Sequence, residues 1–144
     1  MRALLLELRP GALTDVELGK LLEHLSEACA SRWGVPVELR TIGQRALPAD
    51  VQVAFYRIAQ EALGNAAKHA GAARLTAELR LGEERVELVV ADDGRGFDPV
   101  AARPGHFGLS IMRERSEAIG ASLAVESRSG QGTTVAVVWP CAGW

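Results

Sequence analysis

The sequence predicts an α+β fold, a two-layer α/β sandwich in which a mixed sheet carries its helices on one face. Three observations lead there. Hydrophobic periodicities run in the order α-β-α-β-β-loop-α-β-β, so helices do not alternate with strands as a doubly wound parallel sheet requires. Strand candidates alternate apolar and polar positions, as Leu75, Ala77, Leu79 and Leu81 do. The 144 residues, 48% hydrophobic and 24% charged, amount to one globular domain. At this length folding buries roughly 68–70% of the chain's surface, and no staples are needed.

Each element has its own signal. Residues 1–9 read as the end of a helix, stopped at Leu8-Arg9-Pro10 because the residue before proline avoids the α region. This is the one plausible boundary, dividing 1–10 from a domain over 11–144. Thr14-Asp15-Val16-Glu17 reads as a capping box. Leu18, Leu21, Leu22, Leu25 and Cys29 follow at helical spacing to about Arg32, and Gly34 closes the helix. Val35, Val37 and Leu39 mark a strand over 35–42. Pro48 opens a long helix over 49–69. Strands over 74–82 and 85–92 flank Gly82-Glu83-Glu84, which suits a short hairpin connection. Residues 93–107 show no period. A third helix over 108–119 stops at Gly120. Two last strands, 121–128 and 133–139, flank Gly130-Gln131-Gly132.

Charge and composition exclude several functions. Sixteen Lys and Arg against eighteen Asp and Glu give a net charge of −2, which is no footprint for nucleic acid or an acidic membrane. No apolar run approaches the ~20 residues of a membrane span. Glu7 and Arg9 interrupt the run after Met1-Arg2, and no small-residue cleavage site follows, so a signal peptide is not expected in this segment. A cytoplasmic location is expected. Cys29 and Cys141 lack metal-ligand spacing and read as free thiols in a reducing compartment.

Four constellations carry chemistry. On the long helix, Glu61, Asn65, Lys68 and His69 fall within an arc of roughly 100°. Oxygen ligands there suit Mg²⁺ shared with substrate phosphates, which the Lys and His would face. The bland alternative is a solvated polar face. Gly64 argues against it, because a mid-helix glycine costs about 1 kcal/mol relative to alanine. The second is Asp92-Asp93-Gly94-Arg95-Gly96 at a strand end, where a carboxylate can accept from an exocyclic amine. Alone it is also a common Asp-Gly turn. It is neither a Walker A motif nor a Rossmann fingerprint. The third, Gly105-His106-Phe107-Gly108-Leu109, leads into a helix whose N-terminal N–H groups could bind anions. The fourth, Gly130-Gln131-Gly132-Thr133, is by itself an ordinary hairpin turn.

In this order and at these distances the four resemble the ATP-binding domain of sensor histidine kinases, within the wider group of gyrase-type ATPases and Hsp90 chaperones. The resemblance covers about residues 15–140. Its N box matches Gln60, Glu61, Asn65, Lys68 and His69. Its G1 box matches Asp92, Gly94 and Gly96, its lid glycines Gly105 and Gly108, and its closing motif Gly130, Gly132 and Thr133. The runs Arg57 to Ala70 and Gly108 to Arg115, with the short lid, resemble the subclass that pairs with NarL-type response regulators.

The resemblance implies that Asp92 binds the adenine amino group and that Asn65 ligates Mg²⁺. Glu61 would sit by the metal's water shell, with Lys68 and His69 facing phosphates. Gly94, Gly96, Gly105, Gly108, Leu109 and Thr133 would complete the ATP site, and Glu61, Asn65 and Lys68 would serve phosphoryl transfer. Asp93 stands where asparagine is commoner. Residues 1–10 resemble the tail of a dimerisation domain or a linker. The phosphoacceptor is missing: His69 lies in the N box, His106 in the lid, and His24 is followed by Leu25 rather than an acidic residue. The implied whole is a homodimeric kinase whose acceptor domain lies outside this chain. Membrane anchoring elsewhere in the protein stays open. An anti-sigma-type serine kinase and a nucleotide-binding module without phosphotransfer are the rival readings.

Overall fold

A computed structural model describes residues 16–69, 74–94, 109–128 and 130–140. The elements come in the expected order. Helix α1 (Leu18–Trp33) precedes strand β1 (Val37–Gly43), and helix α2 (Ala49–His69) follows. Strands β2 (Leu75–Leu81) and β3 (Arg85–Asp92) come next, then helix α3 (Leu109–Ala118) and strands β4 (Ser122–Arg128) and β5 (Gly132–Pro140). The stub over 1–10 and the residues Thr14 and Asp15 lie outside the described part.

The strands form one mixed sheet in the order β1-β2-β3-β5-β4. The β1–β2 pair is parallel and the other three pairs are antiparallel. Alternation sets the faces. Leu75, Ala77, Leu79, Val86, Leu88, Val90, Val135, Val137 and Trp139 are buried on one side. There they pack with Leu22, Phe55, Ile58, Leu63 and Met112 from the three helices. The other side carries a charge ladder: Arg40–Glu78 at 4.0 Å, Arg85–Glu87 at 3.9 Å, and a close Arg80–Glu78 pair. The mixed sheet covered on one face is therefore as the sequence predicts.

Helix α2 is the spine. Its first turn is fixed by the Gln52 N–H donating to the Pro48 carbonyl (3.0 Å). The Asp50 carboxylate accepts from the Val51 N–H (2.9 Å) at the end where negative charge is favoured. Ala59, Ala62 and Ala66 keep its inner face slim. The Cys29 thiol comes within 3.8 Å of the Leu63 carbonyl oxygen. Burial pushes that thiol's pKa up, so Cys29 is a protonated core residue and a free thiol. Cys141 lies outside the described residues.

The capping box at Thr14 needs correction. Helix α1 begins at Leu18 with Glu17 as its N-cap, and no side chain caps it. A long-range contact lies just before the helix start. The Val16 carbonyl accepts from Gln52 Nε2 (2.7 Å), which ties the chain before α1 to α2. The other end is as expected: Gly34 takes φ 71° and its N–H donates to the Ala30 carbonyl at 2.8 Å. Helix α3 likewise ends before Gly120, at φ 74°.

Ser26 is 5% exposed on the buried side of α1, and its hydroxyl has no hydrogen-bond partner among the described residues. An unsatisfied buried hydroxyl is unfavourable, so Ser26→Ala should stabilise the fold by about 1 kcal/mol. Urea unfolding of the two proteins checks this, and a less stable alanine variant would refute it.

Candidate nucleotide site at the end of the central strands

Residues at the Asp92 end of the sheet fall in one row. Leu75 of β2 pairs with Asp92 of β3, Asp92 with Thr133 of β5, and Thr133 with Ser127 of β4. Partners in a ladder share a face, and this row shares the face covered by the helices. Asp92 is half-buried there. Its Oδ1 accepts from the Gly94 N–H (2.8 Å), and the Thr133 N–H also donates to the carboxylate. Desolvation raises its pKa above the usual carboxylate value. The two N–H bonds oppose the rise, and the neighbouring Asp93 charge adds to it. A carboxylate has about four lone-pair sites. Among the described residues two are used by backbone, which leaves capacity to accept from a ligand amine.

Glycines make the close geometry possible. Gly132 takes φ 86°, and a Cβ built on it would fall against the Asp92 carbonyl oxygen. The β4–β5 turn is thereby drawn onto the β3 end. Asp93 is exposed, and its Oδ1 accepts from the Arg74 N–H (3.1 Å), which fastens the start of β2. Asparagine would keep that oxygen as an acceptor, so Asp93→Asn should change little.

The polar strip of α2 lies on the same side of the sheet, since α2 packs on β2, β3 and β5. Glu61 and Asn65 are half-buried, one helical turn apart, and Lys68 is exposed beyond them. A Cβ at Gly64 would meet nothing within 4 Å among the described residues. The packing described therefore does not itself demand glycine there. Arg57 Nη1 donates to Gln60 Oε1 (3.2 Å) on the strip's flank. His69 closes α2, but its side chain lies outside the described part. Leu109 opens α3 and packs against the core. Gly96, Gly105, Gly108, His106 and Phe107 lie outside the described residues. His24 is exposed on α1.

A cavity of about 390 Å³ lies elsewhere, lined by Gln44, Arg45, Ala46, Leu81, Gly82 and Glu83 at the opposite end of β2 and β3. Arg45 bridges the Gly82 and Glu83 carbonyls there (3.0 and 3.2 Å). Two site features escape the sequence patterns. The Arg74 N–H gives no local signal. Ser127 looks like any strand serine until the strands are set in register.

A strand-end carboxylate held by backbone N–H groups, beside a polar helix face on the covered side of a mixed sheet, is an arrangement that could hold a nucleotide. The chain belongs to the family of histidine kinase-, DNA gyrase B- and HSP90-like ATPases, whose model matches residues 50–143. ATP binding follows from that membership. The signal transduction histidine-protein kinase/phosphatase DegS of Brevibacillus brevis is 30% identical over 141 residues, covering 97% of this chain and 36% of its own. The nitrate/nitrite sensor protein NarX of Escherichia coli K12 is 33% identical over 128 residues, covering 88% of this chain and 21% of its own. This chain thus spans well under two thirds of either relative. The histidine kinase domain of the Erythrobacter litoralis EL346 blue-light activated histidine kinase superposes with a TM-score of 0.70 at 26% identity. That match covers 88% of this chain and 62% of the other.

Proposed function

We propose that this chain is the ATP-binding catalytic domain of a two-component sensor histidine kinase. It would transfer the ATP γ-phosphoryl group to a histidine on a dimerisation domain outside this chain. The observation that carries the reading is the Asp92 carboxylate, fixed by the Gly94 and Thr133 N–H groups with acceptor capacity left over. Asp92 accepts from the exocyclic amine of adenine. Gly94 and Gly96 let the backbone pass close to the base, and Thr133 completes that wall. Lys68 and His69 face the phosphates, and Gly105, Gly108 and Leu109 bring a helix N-terminus toward them.

Mg²⁺ fits the oxygen pair on α2. Asn65 would hold it directly and Glu61 through its water shell, since this ion keeps several waters and shares its site with phosphates. No group of three or more His, Cys, Asp or Glu side chains is placed for a metal among the described residues. Bound there, the ion would neutralise phosphate charge. Phosphoryl transfer depends on positioning and charge neutralisation more than on covalent help from protein. The likeness to NarX supports a NarL-type response regulator as the downstream partner. By the same family resemblance the intact protein would be a homodimer with its catalytic segment in the cytoplasm, and residues 1–10 would be the end of the dimerisation helix or a linker. No helix of the described residues is long and apolar enough to cross a membrane.

The acceptor must sit in line with the γ-phosphate at near-attack distance. Of the three histidines, His24 is on α1, His69 belongs to the site wall and His106 to the lid motif, so this chain alone should bind ATP without labelling itself. Incubation with γ-labelled ATP and Mg²⁺ tests this, with and without a separately made dimerisation domain. Acid-labile label on the added domain alone is expected. Acid-stable label would point to a serine kinase, and substantial acid-labile label on the isolated chain would make one of its own histidines the acceptor. In the same system Asn65→Ala should weaken the Mg²⁺-dependent part of ATP binding and spare metal-free ADP binding. Equal losses with and without Mg²⁺ would make Asn65 structural.

A further inference from the structure

The cavity of about 390 Å³ lies where the β1–α2 connection meets the β2–β3 turn, and Arg45 is the basic side chain in its lining. Small-molecule sites run roughly from 300 to 1,000 Å³. Arg45 is half-buried and held on two sides. Its Nη1 donates one proton to the Gly82 carbonyl (3.0 Å) and one to the Glu83 carbonyl (3.2 Å). Its Cζ lies 6.0 Å from the ring centroid of Trp139, which is buried. A guanidinium has five N–H donors. Nε–H and the two protons of Nη2 have no acceptor among the described residues. Its charge is uncompensated as well. On the open face of the sheet Arg40, Arg80 and Arg85 each meet a glutamate. Arg45 forms no ion pair with any carboxylate among the described residues, that of Glu83 included.

We propose that this cavity binds a small aliphatic carboxylate and that Arg45 recognises it. Nε–H and one Nη2–H lie side by side on the guanidinium edge that Nη1 leaves free, a fork that matches the two oxygens of a carboxylate. The two carbonyls and the Trp139 ring hold that fork before a ligand arrives, so little side-chain freedom is lost on binding. Ala46 and Leu81 supply the apolar part of the lining, which suits a short hydrocarbon chain behind the carboxylate. An amine in the same place would meet a like charge. The cavity lies at the opposite end of β2 and β3 from Asp92, and its ligand does not depend on the nucleotide reading.

Titration of the whole chain with isocaproate, followed by the chemical shifts of its backbone amides, tests this. Isocaproamide and isoamylamine serve as the matched neutral and cationic ligands. Isocaproate should bind in the millimolar range and shift the Leu81, Gly82 and Glu83 amides. Isocaproamide should bind about tenfold more weakly, because it forfeits the hydrogen bonds between two charged groups, and isoamylamine should not bind. Arg45→Lys keeps the charge, removes the fork and should lose about tenfold in isocaproate affinity. That change also removes the hold on the β2–β3 turn, so a second variant is needed. Ala46→Glu leaves Arg45 and its two carbonyl contacts in place and sets a competing carboxylate at the cavity. It should abolish isocaproate binding while its melting temperature stays near that of wild type. Equal affinity for isocaproate and isocaproamide, or shifts that spare the β2–β3 turn, would overturn the proposal. So would an Ala46→Glu variant that binds isocaproate as wild type does.

Discussion

Asp92→Asn is expected to weaken ATP binding by about 1.5–3 kcal/mol, the range for a hydrogen bond to a charged group. That is roughly a 10- to 150-fold loss of affinity. GTP, which offers a carbonyl at the corresponding position, should bind wild type far more weakly than ATP. The same substitution should leave the unliganded fold at least as stable at neutral pH. Burial raises the Asp92 pKa in the folded chain. The stability linked to that raised value is fully present below the unfolded pKa and is lost as pH rises through the folded one. Near neutrality the carboxylate is therefore charged and desolvated, a penalty that asparagine removes. Its advantage should shrink as the pH falls into the carboxylate range. Calorimetry with ATP and GTP, together with thermal melts at neutral and acid pH, reads both arms. Wild-type ATP affinity in the variant would dismiss Asp92 as the base acceptor. A large loss of stability at neutral pH would make it a structural residue instead.

Gly132→Ala should be the most damaging single-methyl change at the site. Its φ of 86° disfavours any Cβ, and the added methyl would fall against the Asp92 carbonyl oxygen, a backbone atom with little freedom to yield. The backbone conformation alone accounts for roughly 1–2 kcal/mol, and the displaced β3 end should carry the Asp92 carboxylate out of place. Gly130→Ala is the matched control. Gly130 has φ 83°, but a Cβ there meets nothing within 4 Å among the described residues. It should lose only the backbone part and keep near-wild-type ATP affinity. Denaturant unfolding and ATP titration of both variants decide the matter. Equal losses in the two proteins would mean that the contact with Asp92 contributes nothing to the site.

The helix α2 was legible at both ends, because Pro48 and the polar strip up to His69 are local signals and the observed helix is Ala49–His69. The strands were legible as faces, since alternation at Leu75, Ala77 and Leu79 is local too. Their neighbours were not. Nothing in the period of β5 says that it lies between β3 and β4, because pairing order is set by packing across the whole sheet. The start of α1 was not legible either. Thr14 to Glu17 has the composition of a capping box, yet a contact from Gln52, far along the chain, holds the Val16 carbonyl. At the site, Asp92 and Gly94 were legible because turn chemistry is short-range. Ser127 was not, since only strand pairing sets it in the row with Thr133 and Asp92.

The central pair of the sheet has a consequence for how this domain can change over time. Strands β3 and β5 lie side by side, yet the chain leaves at Asp92 and returns at Gly132 only after α3 and β4. Closing such an excursion carries an entropy that grows only with the logarithm of its length, about 0.6 kcal/mol for each doubling. Insertions or deletions between Gly94 and Leu109 should thus leave the β3–β5 ladder nearly undisturbed in equilibrium stability. The toll should fall on the rate at which the two middle strands find each other, since non-local pairing slows as the chain between the partners lengthens. Length variation in that stretch is therefore a cheap evolutionary variable, whereas a one-residue shift inside β3 or β5 would turn every core side chain to the wrong face.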